Sequence, residues 1–175
     1  MNKLKIKVKV LTEGCMPEII DGGDWIDLKA AQDMEIRAAQ AGVQYQEGNE
    51  KYRDVHIPMT YIPLGIAVKL PDGFEALINS RSSGPNKLKL FIPSGQGVVD
   101  NTYSGKGDQW HYVAAPMSNA HIKKGDRICQ FRIQLSQKAT VWQKIKWLFS
   151  SGVELVEVED LDSTNRGGLG STGIN

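Results

Sequence analysis

Residues 3 to 10 alternate without a break: Lys3, Lys5, Lys7 and Lys9 fall on one side, Leu4, Ile6, Val8 and Val10 on the other. A period of two predicts a strand with one wet and one buried face, set at the edge or outside of a sheet. Asp33 to Arg37 alternate again. From Ile57 onward short apolar runs are broken by Pro58, Pro63, Pro71-Asp72-Gly73, Gly84-Pro85 and Pro93, the punctuation of an all-β sandwich or barrel. Phe74 to Ile78 is one such strand and delivers Ser80-Arg81-Ser82-Ser83 at its end. Ile128 to Ile133 is another, after a turn at Lys123-Lys124-Gly125-Asp126, and Val153 to Val158 returns to strand. In Gly97-Val98-Val99-Asp100-Asn101-Thr102-Tyr103-Ser104-Gly105, valines lead into polar residues between glycines. This predicts a strand running into a hairpin with Asp100 at its rim.

Two segments interrupt the β pattern. Residues 38–55 are polar and lack sustained periodicity, which predicts an inserted loop. In residues 138–150, Val141, Trp142, Ile145, Leu148 and Phe149 share one face at helical spacing, while Lys144 and Lys146 lie off it. A basic amphipathic helix can bind a membrane or a partner, but a helix of about three turns is marginal alone, so packing of the apolar face on its own barrel is expected. Trp147 then projects away, open to an oligomer or partner contact. The chain divides into a barrel domain, 1–162, with inserts at about 38–55 and 138–151, and a Gly/Ser/Thr-rich arm, 163–175, expected to be mobile unless a ligand orders it.

A chain of 175 residues can bury a core without cross-links. Its 21 basic and 20 acidic residues give a net charge of +1, so no global field favours nucleic acid or a membrane, and an anionic ligand must be held by local groups. Cys15 and Cys129 lie far apart with no C-x-x-C spacing, and Met-Asn-Lys-Leu-Lys is not a secretory start, so a reducing cytoplasm is expected, with both thiols in the core.

Five polar clusters call for one explanation: Asp27; Arg81-Ser82-Ser83; Asp100 with Tyr103; Gln130; and Arg166 to Gly173. Two guanidinium forks, the hydroxyls of Ser82, Ser83, Ser171 and Thr172, and a glycine-rich backbone able to form an anion nest are phosphate-binding groups. A carboxylate beside phosphates either binds metal or activates water. Asp27 is a candidate to hold Mg²⁺, which leaves Asp100 free as general base. His56, His111 and His121 have no mutual ligand spacing.

In order and over nearly the whole chain, these segments resemble the five motifs of the trimeric dUTPase family, in its prophage-type branch. The resemblance implies a distorted jelly-roll (β-clip) barrel with one short inserted helix and a mobile C-terminal arm, assembled as a homotrimer with sites at subunit interfaces. It implies hydrolysis of dUTP to dUMP and pyrophosphate, controlling the dUTP/dTTP pool. By the same resemblance Asp27 holds Mg²⁺ through water, Arg81 supports the catalytic carboxylate, and Ser82 and Ser83 contact phosphates. The backbone of Gly97, Val98 and Val99 reads uracil, and Asp100 activates the water that attacks the α-phosphorus. Tyr103 packs on deoxyribose, Gln130 reaches the phosphates, and Arg166 with Gly170, Ser171 and Thr172 belongs to the arm that closes over a neighbouring subunit's site.

Three departures from the family pattern stand out. Leu169 replaces the aromatic residue of the fifth motif, and its arginine more often stands where Thr164 is, so the cover over uracil is expected from Trp110, His111 or Tyr112. Ser94 occupies the position of a uracil-contacting amide. Segments 38–55 and 138–151 look like insertions relative to compact members of the family and are candidates for contact with a regulatory protein partner. The alternatives are a dCTP deaminase-like enzyme, which shares the Arg-Ser-Ser motif but needs a glutamate that does not occur between Glu75 and Glu154, and a nucleotide-sensing interaction module.

Overall fold

The alternating segments at Leu4–Val10 and Met34–Ile36 form strands. The structure, a computed structural model, describes residues 2–167. Its strands are β1 (Leu4–Val10), β2 (Glu18–Ile19), β3 (Ile26–Lys29), β4 (Met34–Ile36), β5 (Gln40–Glu47), β6 (Glu50–His56), β7 (Thr60–Pro63), β8 (Ile66–Lys69), β9 (Phe74–Ser80), β10 (Leu90–Phe91), β11 (Gly97–Val99), β12 (His111–Pro116), β13 (Ala120–Ile122), β14 (Arg127–Leu135) and β15 (Val153–Glu157). Helix α1 (Val141–Leu148) precedes the last strand, and a π-helical turn, Gly84–Leu88, follows the Arg-Ser-Ser segment, so the described residues hold two short helical elements where one was expected.

The result is a distorted all-β jelly roll. Its sheets run β15-β1-β8, β10-β12-β7 and β11-β9-β14-β3-β2, with two smaller pairs, β13-β4 and β5-β6. In β1 the lysines face solvent while Leu4, Ile6 and Val8 are buried. The strand is nevertheless central, not at an edge, because β15 pairs with it in parallel on one side and β8 antiparallel on the other. Each removal of a Leu, Ile or Phe side chain from water contributes about 1.5–3 kcal/mol, and the core gathers many of them around Trp110, which meets Phe131 edge-on at 5.2 Å.

Both inserts differ from expectation. Residues 38–55 form the hairpin β5–β6 instead of a loop, with Tyr45 stacked on Tyr52 at 5.6 Å. The hairpin stands off the core with both faces largely exposed, so its strands need no apolar alternation and leave no period-two trace. Helix α1 is anchored the other way round. Gln143 and Trp147 face the barrel, Trp147 edge-on to Phe74 at 5.2 Å, whereas Trp142 is 79% exposed and Val141, Leu148 and Phe149 are exposed with it. A capping box between Thr140 and Gln143 starts the helix. No helix among the described residues is long and apolar enough to cross a membrane.

Candidate functional site

Strand β11 lies at the edge of the five-stranded sheet and pairs only with β9 among the described residues, through Gly97, Val98 and Val99 opposite Ile78, Leu77 and Ala76. An edge strand keeps backbone N–H and C=O groups without ladder partners on its outer side. Beside it opens a cavity of about 540 Å³, lined in part by Ser94, Gly97, Val98, Val99, Asp100 and Tyr103. The predicted return limb of a hairpin does not form. The amide of Tyr103 bonds the carbonyl of Asp100 at 3.0 Å, and the chain then runs irregularly to β12, which pairs with β7 and β10 instead.

Asp100 is exposed at the cavity, and Arg166 of the arm also lines it. The Nη1 of Arg166 donates to Asp100 Oδ2 at 3.0 Å and to Thr102 Oγ1 at 2.8 Å. Tyr103 is half-buried and its hydroxyl donates to the carbonyl of Gln109 at 2.9 Å. Burial, reinforced by the negative charge of Asp108, raises the Tyr103 phenol above its ordinary value, so the group remains a neutral donor. Ser94 lies at the cavity with its hydroxyl turned to the carbonyl of Gln96.

A second cluster sits elsewhere on the same sheet. Buried Asp27 on β3 stands opposite Gln130 on β14. Its Oδ1 is 3.1 Å from Arg81 Nε and its Oδ2 is 3.2 Å from Arg127 Nη1. Gln130 donates to the carbonyl of Ser80 at 3.4 Å, and the Ser80 hydroxyl meets the hydroxyl of Tyr112 at 2.8 Å. Burial pushes the Tyr112 phenol up to about 12 despite that bond. Ser82 is exposed, and Ser83 begins the π-helical turn. Asp27, Arg81, Ser82, Ser83 and Gln130 do not line the cavity. Within one chain, therefore, Arg81 is engaged by Asp27 and stands apart from Asp100. The cation that meets Asp100 is Arg166.

The expected cover over the base is also revised. Trp110 is 1% exposed and packed on Phe131, and Tyr112 is equally buried, so both are walls of the core. His111 reaches the cavity with its Nδ1 at the Gln109 carbonyl. Tyr61, 49% exposed, also lines the cavity. Sequence reasoning passed over Tyr61, Thr102, Asp108 and the pairing role of Arg127. Gly170, Ser171 and Thr172 lie outside the described residues, as does Leu169.

Mg²⁺ prefers water and phosphate oxygens with one or two carboxylates. Among the described residues no three His, Cys, Asp or Glu side chains converge as a metal site. Asp27 Oδ2 is buried and accepts no hydrogen bond, with Arg127 Nη1 3.2 Å away. Asp27, the carboxylate expected from sequence to hold Mg²⁺ through water, here faces arginines with both oxygens, Arg81 and Arg127.

Comparison with known proteins gives a consistent picture. The family model described as dUTPase matches residues 54–173. The SPbeta prophage-derived deoxyuridine 5'-triphosphate nucleotidohydrolase YosS of Bacillus subtilis is 35% identical over 171 residues, 97% of this chain and 99% of that protein. The deoxyuridine 5'-triphosphate nucleotidohydrolase of Helicobacter pylori strain 26695 is 28% identical over 98% of each chain. Among solved structures, a mutant dUTPase from phage phi11 of Staphylococcus aureus, with a coordinated structural Mg(II) ion, superposes with TM-score 0.59 at 17% identity over 78% of this chain and 94% of its own. A mutant Staphylococcus bacteriophage 80alpha dUTPase with dUpNHpp gives TM-score 0.57 at 19% identity over 97% of this chain and 98% of its own. The structural likenesses establish a shared fold.

Proposed function

This chain belongs to the dUTPase family, and we propose that it converts dUTP and water to dUMP and pyrophosphate with Asp100 as the general base. The observation that carries this reading is the exposed carboxylate of Asp100 directly after an edge strand, at the mouth of a cavity. Uracil offers a carbonyl, an N–H and a second carbonyl in a row, a pattern that the unpaired backbone groups of Gly97, Val98 and Val99 can match. A base with the opposite pattern leaves those groups unpaired, at about 1–3 kcal/mol each. Tyr103 packs against the deoxyribose. Asp100 takes a proton from water, the water oxygen bonds the α-phosphorus, and the bond to the bridging oxygen breaks with its electron pair leaving on pyrophosphate.

The phosphates are held by Arg81, Ser82, Ser83, Gln130 and Arg166, with Gly170, Ser171 and Thr172 of the arm, and Ser94 flanks the base. Asp27 would hold Mg²⁺ through water, and the ion would supply charge neutralisation on the triphosphate oxygens. Arg81, Gln130 and Asp27 stand apart from the cavity of their own chain, and this supports a homotrimer in which a neighbouring copy brings its cluster to each Asp100. Two buried free thiols support action in a reducing cytoplasm. The helix face of Val141, Trp142, Leu148 and Phe149, flanked by Lys144 and Lys146, supports a second role as a contact for a regulatory protein. Deleting residues 138–151 tests that role: unchanged partner capture with full hydrolysis removes it.

The decisive experiment compares pyrophosphate release from dUTP, dCTP, dTTP and UTP, with and without Mg²⁺. Release confined to dUTP and dependent on Mg²⁺ is expected. Comparable turnover of UTP or dCTP overturns the assignment.

A further inference from the structure

Helix α1 turns its apolar side to solvent. Val141 is 68% exposed, Trp142 79%, Leu148 77% and Phe149 71%, with Ile145 between them at 38%. Only Gln143 and Trp147 of the helix, one turn apart, are partly covered by the barrel. At about 100° per residue the apolar side chains form one strip, and Lys144 and Lys146 fall on its two opposite margins. Exposed Lys138 precedes the helix, and no Asp or Glu occurs between Asp126 and Glu154. The amides of Ser151 and Leu4 bond the carbonyls of Asn2 and Gly152, at 3.4 and 2.9 Å, which brings exposed Lys3 beside the helix end. Asp72, next to Gly73, belongs to the turn on the barrel side of the helix, away from the strip. The helix is also held ready. Thr140 and Gln143 close a capping box, Gln143 packs on Gly73 so closely that a side chain there has no room, and Trp147 meets Phe74. A helix of 8 residues would not persist alone, but this one is fixed from behind.

We propose that α1 is a docking site for an anionic lipid surface. Val141, Trp142, Leu148 and Phe149 would enter the boundary between head groups and acyl chains, a layer that suits Trp and Phe. Lys144 and Lys146 on the margins would lay their stems along the apolar layer and leave their ammonium groups among the phosphates. The rim decides between a bilayer and a protein. Lysine is depleted in protein contacts, whereas here both margins and the flanks at Lys3 and Lys138 are lysine. A second copy of this chain would set like charges against each other. Because the helix is folded beforehand, little ordering opposes binding. The net charge of +1 gives no long-range pull, so attraction is confined to this patch, and a single strip gives reversible association. No residue of α1 lines the cavity beside Asp100, so docking and hydrolysis use separate surfaces.

The test uses the full chain and sedimentation with vesicles of phosphatidylcholine alone, or of phosphatidylcholine and phosphatidylglycerol in equal parts. The unmodified protein should bind the mixed vesicles about tenfold more tightly or better, and the difference should shrink in about 1 M salt, where screening acts within about 3 Å. Trp142→Ser with Phe149→Ser removes the apolar anchor and should weaken binding to mixed vesicles about tenfold or more. Lys144→Gln with Lys146→Gln keeps the apolar strip and should weaken that binding several-fold while reducing the preference for anionic lipid. Lipids brominated along the acyl chain should quench part of the tryptophan fluorescence of the unmodified protein, and that part should vanish in Trp142→Phe. No sedimentation with mixed vesicles, equal binding to both kinds, or undiminished binding in either double variant overturns the proposal. A soluble protein held through this face, lost in Trp142→Ser with Phe149→Ser and unaccompanied by vesicle binding, assigns the face to a protein and overturns it too. All four replaced side chains are exposed, so the urea midpoints should match that of the unmodified protein. If one double variant does not fold, the other decides together with the salt dependence.

Discussion

Arg81 and Asp27 form an ion pair of 3.1 Å in which the carboxylate is buried and the guanidinium is only partly so, with Arg127 at 3.2 Å on the other oxygen. Three groups on β3, the end of β9 and the start of β14 thus depend on one negative charge. Replacing Asp27 by Asn leaves two cations facing each other. Breaking a fully buried pair costs about 3–5 kcal/mol, and because the arginine side chains are 28% and 41% exposed, about 2 kcal/mol is expected here. Urea denaturation of Asp27→Asn checks this. Asp27→Asn with Arg127→Met should recover part of the loss, since the uncompensated charge is then smaller.

Asp100→Asn removes the proton acceptor but keeps the shape and the partner of Arg166. Hydrolysis of dUTP should fall by about 10²–10⁴, the range for a lost general base, with little change in dUTP affinity. Single-turnover pyrophosphate release beside equilibrium binding measures both. Near-normal turnover would remove Asp100 from its role.

Trp110 and Tyr112 are walls of the core, so Trp110→Ala should cost about 3–5 kcal/mol of stability and change dUTP affinity only through that damage. Tyr61→Ala should leave the melting temperature nearly unaltered and raise KM for dUTP several-fold, about 1 kcal/mol of stacking. An unchanged KM in Tyr61→Ala would show that the base is covered by another group.

The two tryptophans of α1 should behave in opposite ways. Trp147 holds the helix to Phe74, and its replacement by Ala should cost about 2 kcal/mol, less than for a fully buried Trp. Trp142 touches solvent, so Trp142→Ala should stay within about 0.5 kcal/mol and improve solubility. Paired chemical denaturation and light scattering distinguish them.

Burial raises both thiols, Cys129 with a further push from Asp27 and Cys15 with a smaller pull downward from Lys124 and Lys29. In the folded chain both stay protonated where an ordinary thiol ionises. The folded state therefore binds these protons more tightly than the unfolded state. Their contribution to stability is intact below the ordinary thiol range of about 8.5 and is lost as pH rises from there toward the folded values. At pH 8 neither cysteine should react with a thiol reagent in the native protein, and both should react in denaturant. Rapid native labelling of Cys129 would contradict its burial.

Much of this protein is local and could be read along the chain. The alternation of Leu4, Ile6 and Val8 with lysines gave one face to the core whatever strands came beside it, because side chains in a strand point alternately to opposite sides. The strand that carries Ser80 and Arg81, the strand around Gln130, and the family to which the chain belongs were legible for the same reason: each is written in a short segment. What the tertiary structure alone decided is which distant groups share a charge or a surface. Within the chain Asp27 meets Arg81 because β9 and β3 both lie against β14. The helix turned its apolar face outward because the barrel offers Phe74 to Trp147, a contact that no periodicity along 138–150 contains.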